Sequence, residues 1–200
     1  RSSDLAILAI GLYTPLSVLA DLWGTAFLKQ KFMLSQVDSA NCTMMLYLGL
    51  ALGSIILPWI FEKYNMLNTA ILLCSVIILL LFIFLLYGPS IEYHYLTFLF
   101  IMLGFFCGGV MVCFTGALQF SRKDNSGSIV GVVNTLNMLG GAILQQIVGS
   151  ALDYQWAGKL DSLNIPQYST DEYINALSIL TVVIALCCVL AFSLVFSRKH

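Results

Sequence analysis

The chain has 200 residues, of which 60% are hydrophobic and 10% charged, with a formal net charge of -1. A soluble domain carries roughly 45–50% apolar and about 25% charged residues, so this composition belongs in lipid. The near-neutral charge excludes nucleic acid as a partner, and four prolines without a polar tract exclude a disordered or low-complexity chain.

Arg1-Ser2-Ser3-Asp4 lacks an initiating Met and leads straight into a full-length apolar run, a pattern expected of a fragment and not of a cleavable signal peptide. Six apolar runs are expected to cross the membrane as helices, at about 5–28, 40–61, 66–87, 95–119, 127–152 and 173–196. Each is near or above the ~20 residues that span a ~30 Å hydrocarbon core. Continuous runs of this kind exclude the alternating strands of a β-barrel. The expected fold is therefore all-α, a single six-helix transmembrane domain over residues 1–200 with the lipid bilayer as its solvent.

The first span places Thr14, Ser17, Asp21 and Thr25 on one face, and Pro15 removes a backbone hydrogen bond there. Asp21 is the only acidic residue well inside any span, roughly 7 Å to the outer side of the helix midpoint at ~1.5 Å per residue. A charged carboxylate in lipid costs several kcal/mol, so Asp21 is a functional candidate by default. Two readings stay open: it titrates and carries a coupling proton or meets a cationic group of a solute, or hydroxyls or a partner surface simply hold it. Tyr13 in this span and Tyr47 in the second could stack on or hydrogen-bond a solute, although an interhelical bond is the commoner use of such a tyrosine.

The second span carries Gly49 and Gly53 and ends on Glu62-Lys63-Tyr64-Asn65. The third span has no glycine and no charge, which assigns it to the lipid-facing periphery. The fourth holds Gly104, Gly108, Gly109 and Gly116, with Met111, Thr115 and Gln119 continuing that face. Arg122 and Lys123 lie in the loop after it. Together with Glu62 and Lys63 they would form contacts that hold one conformation, or else simply set topology.

On the fifth span Gly127, Gly131, Asn134, Asn137, Gly141, Gln145 and Gly149 share one face at ~3.6 residues per turn. Three amides facing lipid would be costly, so the stripe faces protein or water. A packed seam and a cavity wall remain alternatives, with Asn134 and Asn137 the favoured solute contacts. The loop that follows is acidic, and the sixth span again lacks glycine and charge. Two glycine-rich helices and one glycine-free helix thus occur twice, as a 3+3 repeat would give.

Basic residues orient the bundle. Arg1, Lys63, Arg122, Lys123, Arg198 and Lys199 fall on one side and Lys29, Lys31 and Lys159 on the other, which puts both termini in the cytoplasm. The six cysteines lie inside apolar runs without metal-ligand or disulfide spacing, and His94 and His200 lie outside the spans, so no metal, cofactor or intramembrane catalytic site is expected.

The segment from Gly53 to Asn65 resembles the cytoplasmic loop signature of major-facilitator transporters, with Glu62 and Lys63 in the places of its acidic-basic pair. Asn65 stands where the signature has glycine, and Asn also adopts left-handed turn geometry. LGFFCGG in the fourth span, and GSIVGVVNTLNMLGGAILQQIVGSALD in the fifth, are similar to the tenth and eleventh helices of bacterial permeases of that superfamily. Leu22-Trp23-Gly24-Thr25-Ala26-Phe27-Leu28 resembles the end of a seventh helix. The resemblance implies the C-terminal six-helix half of a twelve-helix fold in the bacterial inner membrane. It implies a secondary active transporter that moves a small polar solute by alternating access, with proton symport as one form. The partner is then the missing N-terminal half, or a second copy of the fragment. No Lys, Arg or His lies inside a span, which favours a neutral or zwitterionic solute such as an amino acid over a phosphate. A drug or metabolite efflux pump of the same fold, and a non-transporting scaffold or receptor, are the alternatives.

Overall fold

The computed structural model describes residues 2–119, 126–160, 164 and 166–196. In hydrocarbon every backbone N–H and C=O must be satisfied within the segment, which leaves apolar sequence of this length no choice but helix. Six helices are long and apolar enough to cross a membrane: α1 Asp4–Phe32, α2 Gln36–Lys63, α3 Leu67–Tyr87, α4 Tyr93–Gln119, α5 Ser126–Gln155 and α6 Thr170–Phe196.

The helices overrun the apolar runs because capping chemistry, and not hydropathy, sets their ends. α1 continues past Leu28 to Phe32 and stops where Met33 takes a left-handed φ of 53°. The Ser35 hydroxyl then caps α2 by accepting the Asp38 N–H at 3.1 Å. After α2, Asn65 adopts a φ of 54°, the left-handed geometry expected of it. α6 starts before the expected residue 173 because Ser169 and Glu172 form a capping box: the Ser169 N–H donates to Glu172 Oε2 at 2.6 Å, and the Glu172 N–H donates to Ser169 Oγ at 3.3 Å. Glu172 Oε1 also accepts the Ala157 N–H at 2.9 Å, tying the α5–α6 loop to α6. In that loop Tyr168 donates to Asp153 Oδ1 at 2.5 Å; burial, together with this carboxylate, pushes the Tyr168 hydroxyl up to about 12.

Glycines decide which helices touch through their backbones. A Cβ on Gly49 would overlap the Ile101 carbonyl oxygen, one on Gly53 the Phe105 oxygen and one on Gly104 the Leu46 oxygen. At Gly108 it would stand 2.5 Å from the Gly53 carbonyl carbon. α2 and α4 therefore meet main chain to main chain. α4 itself breaks at Gly108 and Gly109 into Tyr93–Cys107 and Val110–Gln119. α3 and α6 pack together, clipped at one end by a 2.6 Å hydrogen bond between Tyr87 and Ser178 and at the other by Asn68 Nδ2 donating to the Leu194 carbonyl at 3.2 Å. Lys31 at the C-terminal end of α1 donates to the Leu85 and Leu86 carbonyls at 2.7 and 2.6 Å, a cation on the C-terminal turn of α3.

The first and fourth helices, α1 and α4, are central, with 67% and 61% of their apolar windows buried. The glycine-rich α2 and α5 are only 22% buried, no more than α6, whereas the glycine-free α3, expected at the periphery, reaches 44%. The reason is physical: lack of glycine forbids close backbone approach but not burial, and α3 inserts Ile71, Ile78, Phe82 and Leu85 fully into the core.

Candidate functional site

Pro15 has no N–H to donate to the Gly11 carbonyl, and Gly11 itself leaves room for the Cys187 thiol of α6, which donates to the Ile7 carbonyl at 3.9 Å. The neighbouring hydroxyls bond back to α1 itself: Thr14 Oγ1 donates to the Ile10 carbonyl at 2.8 Å and Ser17 Oγ to the Thr14 carbonyl at 3.1 Å. Both residues are buried, so among the candidates of the first span they serve the helix and not the open face. From Leu16 to Trp23 the helix widens into π-helical turns, which supplies the discontinuity that Pro15 leads one to expect.

Asp21 lies in this widened stretch with its side chain exposed. Its Oδ1 accepts a hydrogen bond from the Tyr47 hydroxyl of α2. Tyr13, half-buried, is in electrostatic contact with both. Three residues singled out separately in the sequence thus form one polar cluster between α1 and α2. Their pairing could not be read from the sequence, because the relative register of two helices is set by tertiary packing. One turn further out Thr25 and Thr43 bring their hydroxyls to 3.5 Å.

The amide stripe of α5 divides. Toward its C-terminal end Gly141 packs against Ser17 and Gly149 against Trp23, while Gln145 Nε2 donates to the Ser17 carbonyl at 2.6 Å. The Trp23 indole donates in return to the Gln145 carbonyl at 3.4 Å. Toward its N-terminal end nothing among the described residues comes within 4 Å of a Cβ placed on Gly127 or Gly131, and Asn134 is exposed. Asn137 lies between these regimes, 3% exposed, with its Oδ1 in no hydrogen bond. The seam and the open wall are therefore two ends of one stripe.

Gly53 is the α2–α4 contact described above. Glu62 and Lys63 are exposed, with the Lys63 ammonium 5.8 Å from the Tyr64 ring centroid. Arg122 and Lys123 lie outside the described residues. The capping role of Lys31 was not anticipated from sequence; a lysine two to three residues past an apolar run is its only signal there. Among the described residues no three His, Cys, Asp or Glu side chains come together as metal ligands.

Comparison with curated proteins returned no match. The family model for the Major Facilitator Superfamily matches residues 3–144, which takes in the whole of the first four spans and the fifth as far as Leu144. Six apolar helices, together with a match over more than half its length, establish that this chain is a multi-pass membrane protein belonging to the Major Facilitator Superfamily, whose members are secondary transporters.

Proposed function

We propose that the chain is the C-terminal six-helix half of a secondary transporter that moves a small polar solute by alternating access, with Asp21 coupling the movement to protons. The observation that carries this reading is the Asp21–Tyr47 pair: a carboxylate inside a membrane span, exposed, with a phenolic donor on the neighbouring helix. A charge in such a place marks a solute or proton path because lipid does not tolerate it. α2 and α5 leave apolar side chains uncovered, among them Leu48, Ile55, Val132 and Leu139. These faces are where a second six-helix half, or a second copy of this one, closes a cavity over Asp21 and Asn134.

The Lys31 ammonium is engaged with the end of α3 and so offers no cation to a solute. That supports a neutral or zwitterionic substrate such as an amino acid or similar metabolite. The bias of basic residues supports cytoplasmic termini in a bacterial inner membrane.

The test is uptake of labelled amino acids, sugars and organic acids by the protein in liposomes, with and without a pH gradient. Asp21→Asn is expected to lower gradient-driven accumulation by about tenfold or more, a barrier or affinity change of at least 1.4 kcal/mol, while exchange at equal pH continues. Accumulation that keeps its pH dependence in Asp21→Asn removes the coupling role. Stabilisation by a solute with no flux of it replaces transport by a receptor function.

A further inference from the structure

Between Leu16 and Trp23 α1 abandons the i→i+4 ladder for i→i+5 bonds, so that the Gly24 N–H donates to the Leu19 carbonyl. Such stretches are uncommon and occur mostly where a helix does something besides pack. A widened turn needs support, because it gives up the regular stacking of its neighbours and tilts carbonyls away from the axis. Here that support comes from the adjoining helices. The Cys107 thiol of α4, fully buried, faces the Leu16 main-chain N–H. On α5 the Gln145 amide donates to the Ser17 carbonyl at 2.6 Å, and the Trp23 indole returns a bond to the Gln145 main chain at 3.4 Å.

One residue of α5 is therefore bonded to both ends of the widened stretch. Asp21 lies between those ends. Gly141, four residues before Gln145, and Gly149, four after it, admit Ser17 and Trp23 to 3.0 and 3.1 Å of where a Cβ would stand, which lets α1 come close enough for the exchange. Gln145 makes no bond to Asp21 or Tyr47 themselves; its amide is turned to the α1 backbone.

We propose that Gln145 is a positioning residue: by holding the Ser17 carbonyl it keeps Leu16–Trp23 in the i→i+5 register and so aims Asp21 at Tyr47. A return of this stretch to i→i+4 bonding would shift Asp21 by one position around α1, about 100°, and part it from α2. The consequence for transport rests on the role given to Asp21 above; the geometric statement does not.

Infrared spectroscopy of the protein in lipid nanodiscs, with ¹³C-labelled aspartate, reads the geometry directly. The Asp21 carboxyl band is identified as the one lost in Asp21→Asn, and Tyr47→Phe gives its position without the phenolic hydrogen bond. Gln145→Met keeps length and packing but has no donor, and Gln145→Ala removes both. Each is expected to move the Asp21 band to the Tyr47→Phe position, with no further movement when Tyr47→Phe is added. A band that stays at the wild-type position in Gln145→Met overturns the proposal, whatever happens to thermal stability. So does a band that moves on Gln145→Met and again, additively, on Tyr47→Phe. Loss of coupling in the Asp21→Asn flux assay is a separate result, so failure of the transport reading and failure of this one are told apart.

Discussion

The α2–α4 contact and the contacts of α5 solve the same problem, joining two apolar helices in a solvent that gives them no hydrophobic reason to associate. α2 and α4 do it by removing side chains, so that Gly49, Gly53, Gly104 and Gly108 bring carbonyls and main chain together. α5 does it with side-chain donors and acceptors: Gln145 to Ser17 and Trp23 back to Gln145, while Tyr168 of the following loop donates to Asp153 near its C-terminal end. A main-chain contact has no adjustable part, whereas a side-chain bond can be exchanged for another. The first arrangement suits a fixed frame and the second a surface whose contacts change.

The largest effect expected from that contrast is at the frame. Gly53→Val drives a branched side chain into the Phe105 carbonyl, with no flexible group to yield, and is expected to cost about 3 kcal/mol or more. It is checked by thermal unfolding and size-exclusion profile in detergent; a wild-type melting temperature would mean that α2 and α4 can part cheaply.

Smaller is the expected cost at the C-terminal end of α5. Tyr168→Phe loses the bond to Asp153 and is expected to destabilise by about 1 kcal/mol near neutral pH. The folded-state pKa of this hydroxyl is raised from 10.0 to about 12. Its contribution is therefore complete below pH 10 and lost as pH rises toward 12. Unfolding measured across that range should show the wild-type and Phe proteins converging; a constant difference would detach the stabilisation from the hydroxyl.

Smallest, and opposite in sign, is Gly131→Ala on the open end of α5. A Cβ there meets nothing within 4 Å among the described residues, so the substitution is expected to raise stability by about 0.5 kcal/mol through helix propensity alone. A fall in melting temperature would show that another surface reaches Gly131 in the assembled protein.

Much of the fold was legible in sequence because hydropathy in lipid is close to a direct reading of structure: the six spans follow from it. Their ends were less so, since Met33 and the Ser169–Glu172 capping box act through local backbone geometry that an apolar count does not see. Glycine placement marked α2 and α4 as helices approached closely. It did not foretell the burial of α3, whose Phe82 and Ile78 fill space that glycine would have closed. At the candidate site Asp21, Tyr13, Tyr47 and Gln145 each stood out by residue type. What the sequence withheld was their relation: the bond from Tyr47 to Asp21 crosses two helices, and the bond from Gln145 goes to a carbonyl, a partner that no side-chain pattern advertises.

The lysine at the C-terminal end of α1 has a mechanical consequence. With its ammonium on two carbonyls of α3, and α3 clipped to α6 at both ends, the tip of α1 is anchored to the α3–α6 pair. Levering that tip away would strip a cation of its acceptors. The segment that carries Asp21 is held apart from this anchor, by α5 through Gln145, so displacing α1 as a whole means breaking contacts with two different neighbours.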